Sequence, residues 1–303
     1  VKSTFENAIV VECDLGAPQS GAALGGRALL SELEGKVNVY RTINTAALPT
    51  RQSDTKEAHY LGEINECLDE ISISVQEYFN NNLKSLSIIA GDHSTACGSI
   101  AGLRKAFPEK KIGVVWIDAH ADIHSPYTTP SGNVHGMPVA AAAGKDHIHR
   151  AINTLDANTI TLWNRTKEIC GQSIELNNLV YIGIRDLEQE EWDILEEEKI
   201  KYYSASEVNT QGARDTALDT LSYLSDCDIL YVSFDIDSLD SEYVPGTGTP
   251  VDGGLRTEQA KEILSIIHES NKVKLFEVVE INPLLDDKNE TAKCIADILS
   301  GIF

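Results

Sequence analysis

Basic residues are scarce in this chain. Its 303 residues carry 25 Lys and Arg against 47 Asp and Glu, a formal net charge of −22. Binding to nucleic acid depends on cationic side chains that neutralise phosphate, so no nucleic-acid partner is expected. The same balance disfavours an anionic membrane surface. No stretch approaches the ~20 apolar residues of a membrane-crossing helix. The excess of acid serves solubility first. Cysteines are few and scattered, at Cys13, Cys67, Cys97, Cys170, Cys227 and Cys294, with no Cys-x-x-Cys pair. That spacing excludes a zinc ribbon or a thioredoxin-type redox site. It leaves buried or free thiols in a reducing, cytoplasmic compartment as the expectation. Lys2, Glu6, Glu12 and Asp14 interrupt the first segment, so no signal peptide is expected, and a chain opening on Val1 reads as trimmed. Linkers, low-complexity tracts and solenoid repeats are also missing, which favours one large domain over residues 1–303. There is no Gly-x-Ser-x-Gly nucleophile turn. Gly16, Gly21, Gly25 and Gly26, after the first apolar stretch, fit neither dinucleotide nor Walker spacing.

What the chain does have is a set of apolar runs that each end in acids or histidines. Ile112–Ile117 reads as a strand buried on both faces and runs into Asp118-Ala119-His120-Ala121-Asp122. Side chains two and four apart on extended backbone point the same way, so Asp118, His120 and Asp122 converge past the strand end. Ile229–Phe234 ends in Asp235-Ile236-Asp237, Leu86–Ala90 in Gly91-Asp92-His93-Ser94, and Val273–Val279 in Glu280-Ile281-Asn282-Pro283. Ligands of open α/β sheets bind outside the carboxyl ends of the strands. Polar loops placed by chance would scatter such residues over both ends.

Between these runs lie amphipathic segments. Helices are expected over Glu57–Asn80, Ser94–Lys105 (capped by Asp92 or Ser94), Glu188–Glu198, Ala213–Leu224, Thr257–Ser270 and about Asn289–Leu299. Further strands are expected at Ala8–Val11 and Leu179–Ile184. Strands alternating with helices at this spacing give an α/β fold of three layers, a mostly parallel sheet flanked by helices on both faces.

Pooled, the strand ends offer His93, Asp118, His120, Asp122, Asp235 and Asp237 as ligands. One divalent ion rarely takes so many charged groups, whereas two ions sharing carboxylates would. Oxygen-rich ligation with two imidazoles suits manganese better than zinc, with other divalent ions as alternatives. Paired metals lower the pKa of a water between them, so the expected chemistry is hydrolysis.

Taken with Gly246-Thr247-Gly248-Thr249-Pro250, these motifs resemble those of the ureohydrolases, the arginases, agmatinases and their relatives, and most of all the arginases. The resemblance runs from the first strand to Pro283. It implies an arginase-like fold and a dimanganese centre at which metal-bridging hydroxide attacks a guanidinium carbon and urea leaves. By motif, His93, Asp118, Asp122 and Asp235 would hold one ion. His120, Asp118, Asp235 and Asp237 would hold the other, with Asp118 and Asp235 bridging and Asp122 serving catalysis as well. Glu280 falls at the family's guanidinium-binding carboxylate, with Thr247 expected to orient it. His135, in Ser131-Gly132-Asn133-Val134-His135, matches the histidine that shuttles protons. A homo-oligomer, trimer or hexamer, is also implied. His59, His147, His149 and His268 sit in polar contexts and read as surface residues.

Substrate identity must come from the loops. Ser131 and Asn133 are neutral donors suited to an α-carboxylate, although Ser, Gly and Asn also serve turns. His124 stands where arginases carry an Asn, and Glu188, two after Asp186, where they usually carry Asp; Glu191 is placed to assist. The leading expectation is L-arginine going to L-ornithine and urea. The alternatives are agmatine, guanidinobutyrate, formiminoglutamate or free guanidine as substrate, or an inactive binding homologue. A deacetylase keeps a smaller ligand set and fits the motifs less well.

Overall fold

The computed structural model describes residues 5–45, 53, 55–82 and 84–303; Val1 and Lys2 lie outside them. Its strands are β1 (Asn7–Glu12), β2 (Asn38–Asn44), β3 (Leu86–Ala90), β4 (Ile112–Ile117), β5 (Leu179–Ile184), β6 (Lys201–Ser204), β7 (Ile229–Asp235) and β8 (Val273–Val279). They form one sheet in the order β2-β1-β3-β8-β7-β4-β5-β6, each neighbouring pair parallel. Parallel strands need crossovers. These are supplied by α1 (Gly25–Glu32), α2 (Leu61–Asn81), α3 (Ala96–Ala106), α4 (Pro138–Ala143), α5 (Ala157–Cys170), α6 (Gln189–Glu197), α7 (Ala205–Gln211), α8 (Ala213–Tyr223), α9 (Thr257–Glu269) and α10 (Glu290–Leu299).

Alternation along the strands divides the core in two. Val114 and Trp116 of β4 pack with Leu68, Ile100 and Trp163 of α2, α3 and α5. Val115 and Ile117 point the other way, toward Ala217, Ile263 and Ile295 of α8, α9 and α10. The sheet is therefore covered on both faces, in three layers. In α2, Leu61, Ile64, Leu68, Ile71, Val75 and Tyr78 recur every three or four residues and are all buried. Burying each of the aliphatic ones contributes about 1.5–3 kcal/mol. The helix starts at Leu61 and not at Glu57. The backbone before it is committed elsewhere: His59 N donates to Gly132 O at 2.8 Å, Tyr60 N to Ser53 Oγ at 2.9 Å, and Tyr60 adopts a left-handed φ of 56°.

The four central strands β3, β8, β7 and β4 bring the motif-bearing ends side by side. The glycine-rich segment after β1 braces them: Gly16 N donates to Asp92 Oδ2 at 2.9 Å, and His135 N donates to Gly16 O at 3.2 Å. At Gly91 a side chain has no room, since a Cβ there would lie 1.8 Å from the Cys13 carbonyl oxygen. No described helix is long and apolar enough to cross a membrane.

Candidate metal centre

Asp118 leaves β4 with its carboxylate fixed by two donors. Trp116 Nε1 donates to Oδ2 at 2.9 Å, and His120 N donates to Oδ1 at 2.7 Å. The His93 ring stacks on Trp116 with centroids 4.3 Å apart. Its Nε2 lies 2.7 Å from the Ser233 hydroxyl, which turns Nδ1 inward. There Nδ1 meets Asp118 Oδ2 at 3.1 Å, Asp122 Oδ2 at 2.9 Å and Asp235 Oδ2 at 3.1 Å. None of the three oxygens sits in line for a hydrogen bond, so this buried nitrogen has no hydrogen-bond partner. A second group forms beside it. His120 Nδ1 is 3.1 Å from Asp237 Oδ2 and 3.4 Å from Asp118 Oδ1. Asp118 thus belongs to both groups. Asp235 reaches the second group through its Oδ1, which accepts from Asp237 N at 2.9 Å.

The donor set fits divalent cations. Neighbouring ligands of an octahedral ion with bonds of about 2.1 Å lie about 3 Å apart, which is the spacing found here. Without a cation the like charges must be relieved by protons. Burial, with Asp118 beside it, pushes Asp122 up to about 6, and burial beside Asp237 and Asp118 pushes Asp235 well above the ordinary range. Burial opposes charge on His93, but Asp118, Asp122 and Asp235 outweigh it and raise the imidazole. Backbone strain collects here too: Asp122 and Glu280 hold left-handed φ values of 50° and 69°, a conformation that costs non-glycine residues of order 1–3 kcal/mol.

Glu280 is buried at the end of β8. Its Oε1 accepts from His93 N at 2.9 Å and lies 3.3 Å from His135 Nδ1. Burial lowers His135, but Glu280, Asp122 and Asp92 raise it further, so the imidazole titrates above its usual value. A cavity of about 360 Å³ opens over the centre, within the range of small-molecule sites. His120, Asp122, His124, Ser131, Asn133, His135, Asp186, Glu188 and Glu191 are among the residues that line it. Among the described residues no Lys or Arg lines it. His124 is held at both ends, Nδ1 at 3.0 Å from Thr128 Oγ1 and Nε2 at 3.3 Å from Glu188 Oε2. That contact holds the Glu188 carboxyl down at about 2. Glu191 is buried, which raises its carboxyl, and it accepts from Glu188 N at 3.2 Å.

Several expectations need correction. Thr247 does not orient Glu280: its hydroxyl is buried with no hydrogen-bond partner, and Glu280 is held by His93 N and His135 instead. Two of the four histidines read as surface residues are buried. His147 is 5 % exposed, and His268 packs against Phe5 with ring centroids 5.2 Å apart. Periodicity foreshadows the second, since 268 continues the 260, 264 stripe of α9. His59 is half-buried and lies 3.3 Å from Asn133 Oδ1. His149 is exposed, as read from the sequence.

Two supporting residues carried no recognised signal. Arg185 sends its guanidinium into backbone carbonyls of two loops. Nη2 donates to Asp237 O at 2.8 Å, Leu239 O at 3.0 Å and Val251 O at 2.7 Å, and Nε donates to Asp252 O at 3.1 Å. Glu277 is fully buried behind His93, where it accepts from Tyr231 Oη at 2.7 Å and Thr95 Oγ1 at 3.1 Å. It lies in a run that also carries Lys274, and no motif marks it.

A parallel α/β sheet with paired imidazole–carboxylate groups at its strand ends is the kind of scaffold that could hold divalent metal. Known proteins narrow the class. The model of the Arginase family matches residues 8–303. An arginase of Emericella nidulans is 32% identical over 284 residues, covering 91% of this chain and 84% of its own. Among solved structures, the native arginase of Bacillus caldovelox superposes with a TM-score of 0.85 at 29% identity, covering 98% of this chain and 97% of the other. The Entamoeba histolytica arginase in complex with L-ornithine gives 0.84 at 28%, covering 98% and 99%. The chain belongs to the arginase family, and it is an enzyme, a hydrolase acting on a guanidino group.

Proposed function

We propose that the protein hydrolyses L-arginine to L-ornithine and urea at a pair of divalent ions, manganese by preference, in a single catalytic domain over residues 1–303. The observation that carries the metal reading is His93 Nδ1, buried without a hydrogen bond among three carboxylate oxygens at 2.9–3.1 Å. His93, Asp118, Asp122 and Asp235 would hold one ion, and His120, Asp118, Asp235 and Asp237 the other. When bound, such a pair lowers the pKa of a shared water and supplies a nucleophile at neutral pH.

The remaining steps fall to the chain's own side chains. Glu280, buried beside the centre, pairs with the guanidinium through charge-assisted hydrogen bonds. His135, held by Glu280 and facing the cavity, gives a proton to the departing amine. Ser131 and Asn133 donate to the α-carboxylate, while Glu188, with Asp186 and Glu191 beside it, accepts from the α-ammonium. Asp122, the last ligand of its motif, lines the cavity and would also accept a proton during attack. The enzyme is read as a cytoplasmic homo-oligomer, trimer or hexamer, and sedimentation velocity tests that state.

One observation favours a second substrate. His124 Nε2 is already engaged by Glu188 at 3.3 Å, so it is not a free donor for a carboxylate. Agmatine, which has none, would lose nothing. Urea release with each guanidine on the Mn2+-loaded protein separates the two readings.

A further inference from the structure

We infer that His59 is a positioning residue for substrate selection, because it fixes which face of the Asn133 amide meets the cavity. This rests on the reading that the cavity takes L-arginine. His59 lies in the segment before α2, outside the cavity wall, and its Nδ1 is 3.3 Å from Asn133 Oδ1. A carbonyl oxygen can only accept, so Nδ1 carries the hydrogen and donates. The amide oxygen and nitrogen lie on opposite sides of the Asn133 side chain. With the oxygen turned back to His59, the NH2 group is left for the cavity that Asn133 lines. An NH2 group presented there donates to a carboxylate; the reversed amide would repel one.

The neighbouring backbone makes this docking close. His59 N donates to Gly132 O at 2.8 Å. Gly132 has a φ of +77°, and a Cβ on it would lie 2.2 Å from the Lys56 carbonyl oxygen and 3.2 Å from the His59 ring. The Ser131–Asn133 loop is thus seated on the His59 segment by its main chain. The imidazole then sets only the amide. The consequence is large here because His124 is engaged by Thr128 and Glu188, which leaves recognition of a carboxylate to Ser131 and Asn133.

A double-mutant cycle on the Mn2+-loaded enzyme tests the assignment through urea release from L-arginine. His59→Ala is expected to raise KM about tenfold, the size of one neutral hydrogen bond, with kcat changed less than about twofold. In an Asn133→Ala background the same substitution is expected to change KM less than about twofold. His59→Gln, which keeps an N–H donor, is expected to restore most of the affinity. A KM effect that persists undiminished in the Asn133→Ala background would overturn the assignment, as would a fall in kcat alongside KM or no change in KM. Absence of urea from the unsubstituted enzyme would instead defeat the arginine reading, and this assignment with it.

Discussion

At the scale of single residues, the centre depends on how few groups carry how many neighbours. Asp118 accepts from Trp116 and His120 N, faces His93 Nδ1, and belongs to both imidazole–carboxylate groups. Ser233 holds His93 Nε2 at 2.7 Å. Partners that orient metal-ligating histidines typically contribute roughly 10–100-fold in metal affinity. Ser233→Ala is therefore expected to weaken Mn2+ binding by about that factor, and Asp118→Asn by more, both read by equilibrium dialysis with metal analysis. Retention of two tightly held ions in Asp118→Asn would contradict its place at the centre. Glu280→Gln removes charge without volume. It is expected to lower kcat/KM for L-arginine roughly 100-fold, in keeping with the loss of a charge-assisted pair, while metal content stays at the unsubstituted level. Loss of metal in that variant would move Glu280 from substrate to ligand support.

At the scale of elements, the sheet concentrates its chemistry at the ends of β3, β4, β7 and β8. These strands were legible because each is a mostly apolar, branched and largely buried run closed by an acid or histidine. The edge strands β2 and β6 were not, because solvent takes one side: most β2 side chains are exposed, so no apolar run marks it. Helix α5 escaped the pattern for a related reason, since two of the five residues on its buried face, Thr159, Trp163, Thr166, Ile169 and Cys170, are polar. The candidate ligands were legible as acids and histidines that follow apolar strand runs, although of the six only Asp235 lies within a strand, and their division between two ions came from the resemblance. Long-range contacts were not legible. Arg185 follows β5 and looks like a surface charge beside Asp186, yet it ties the loop carrying Asp237 to the cavity rim at Val251. Lysine cannot reproduce that planar fork. Arg185→Lys is expected to cost roughly 2–4 kcal/mol of stability, read from the denaturant midpoint at constant slope; an unchanged midpoint would show that the two loops hold without it.

At the scale of the whole molecule, the acid limit of stability has an identifiable contributor. His147 is buried, and desolvation outweighs Glu198 to bring its imidazole down to about 4, with Lys145, His149 and His124 acting in the same direction. The unfolded chain takes up that proton near pH 6.5 and the folded one only near 4. Its contribution is complete above pH 6.5, is lost as pH falls between 6.5 and 4, and changes no further below. Its size is on the order of 3 kcal/mol. His147→Asn, which tolerates the left-handed φ of 49° found there, is expected to flatten this part of the stability curve, measured by chemical denaturation at a series of pH values. A curve parallel to that of the unsubstituted protein would assign the acid limb to other groups.

The excess of acid over the molecule is partly concentrated where two cations would neutralise it, and the cavity above holds donors and acceptors for the two ends of an amino acid. Urea release from the Mn2+-loaded protein, with L-arginine and agmatine side by side, tests that account most directly. Rapid release from L-arginine and little from agmatine is the predicted result. Release from agmatine alone would contradict the arginine reading while leaving the metal centre standing, and no urea from either would contradict the account at its centre.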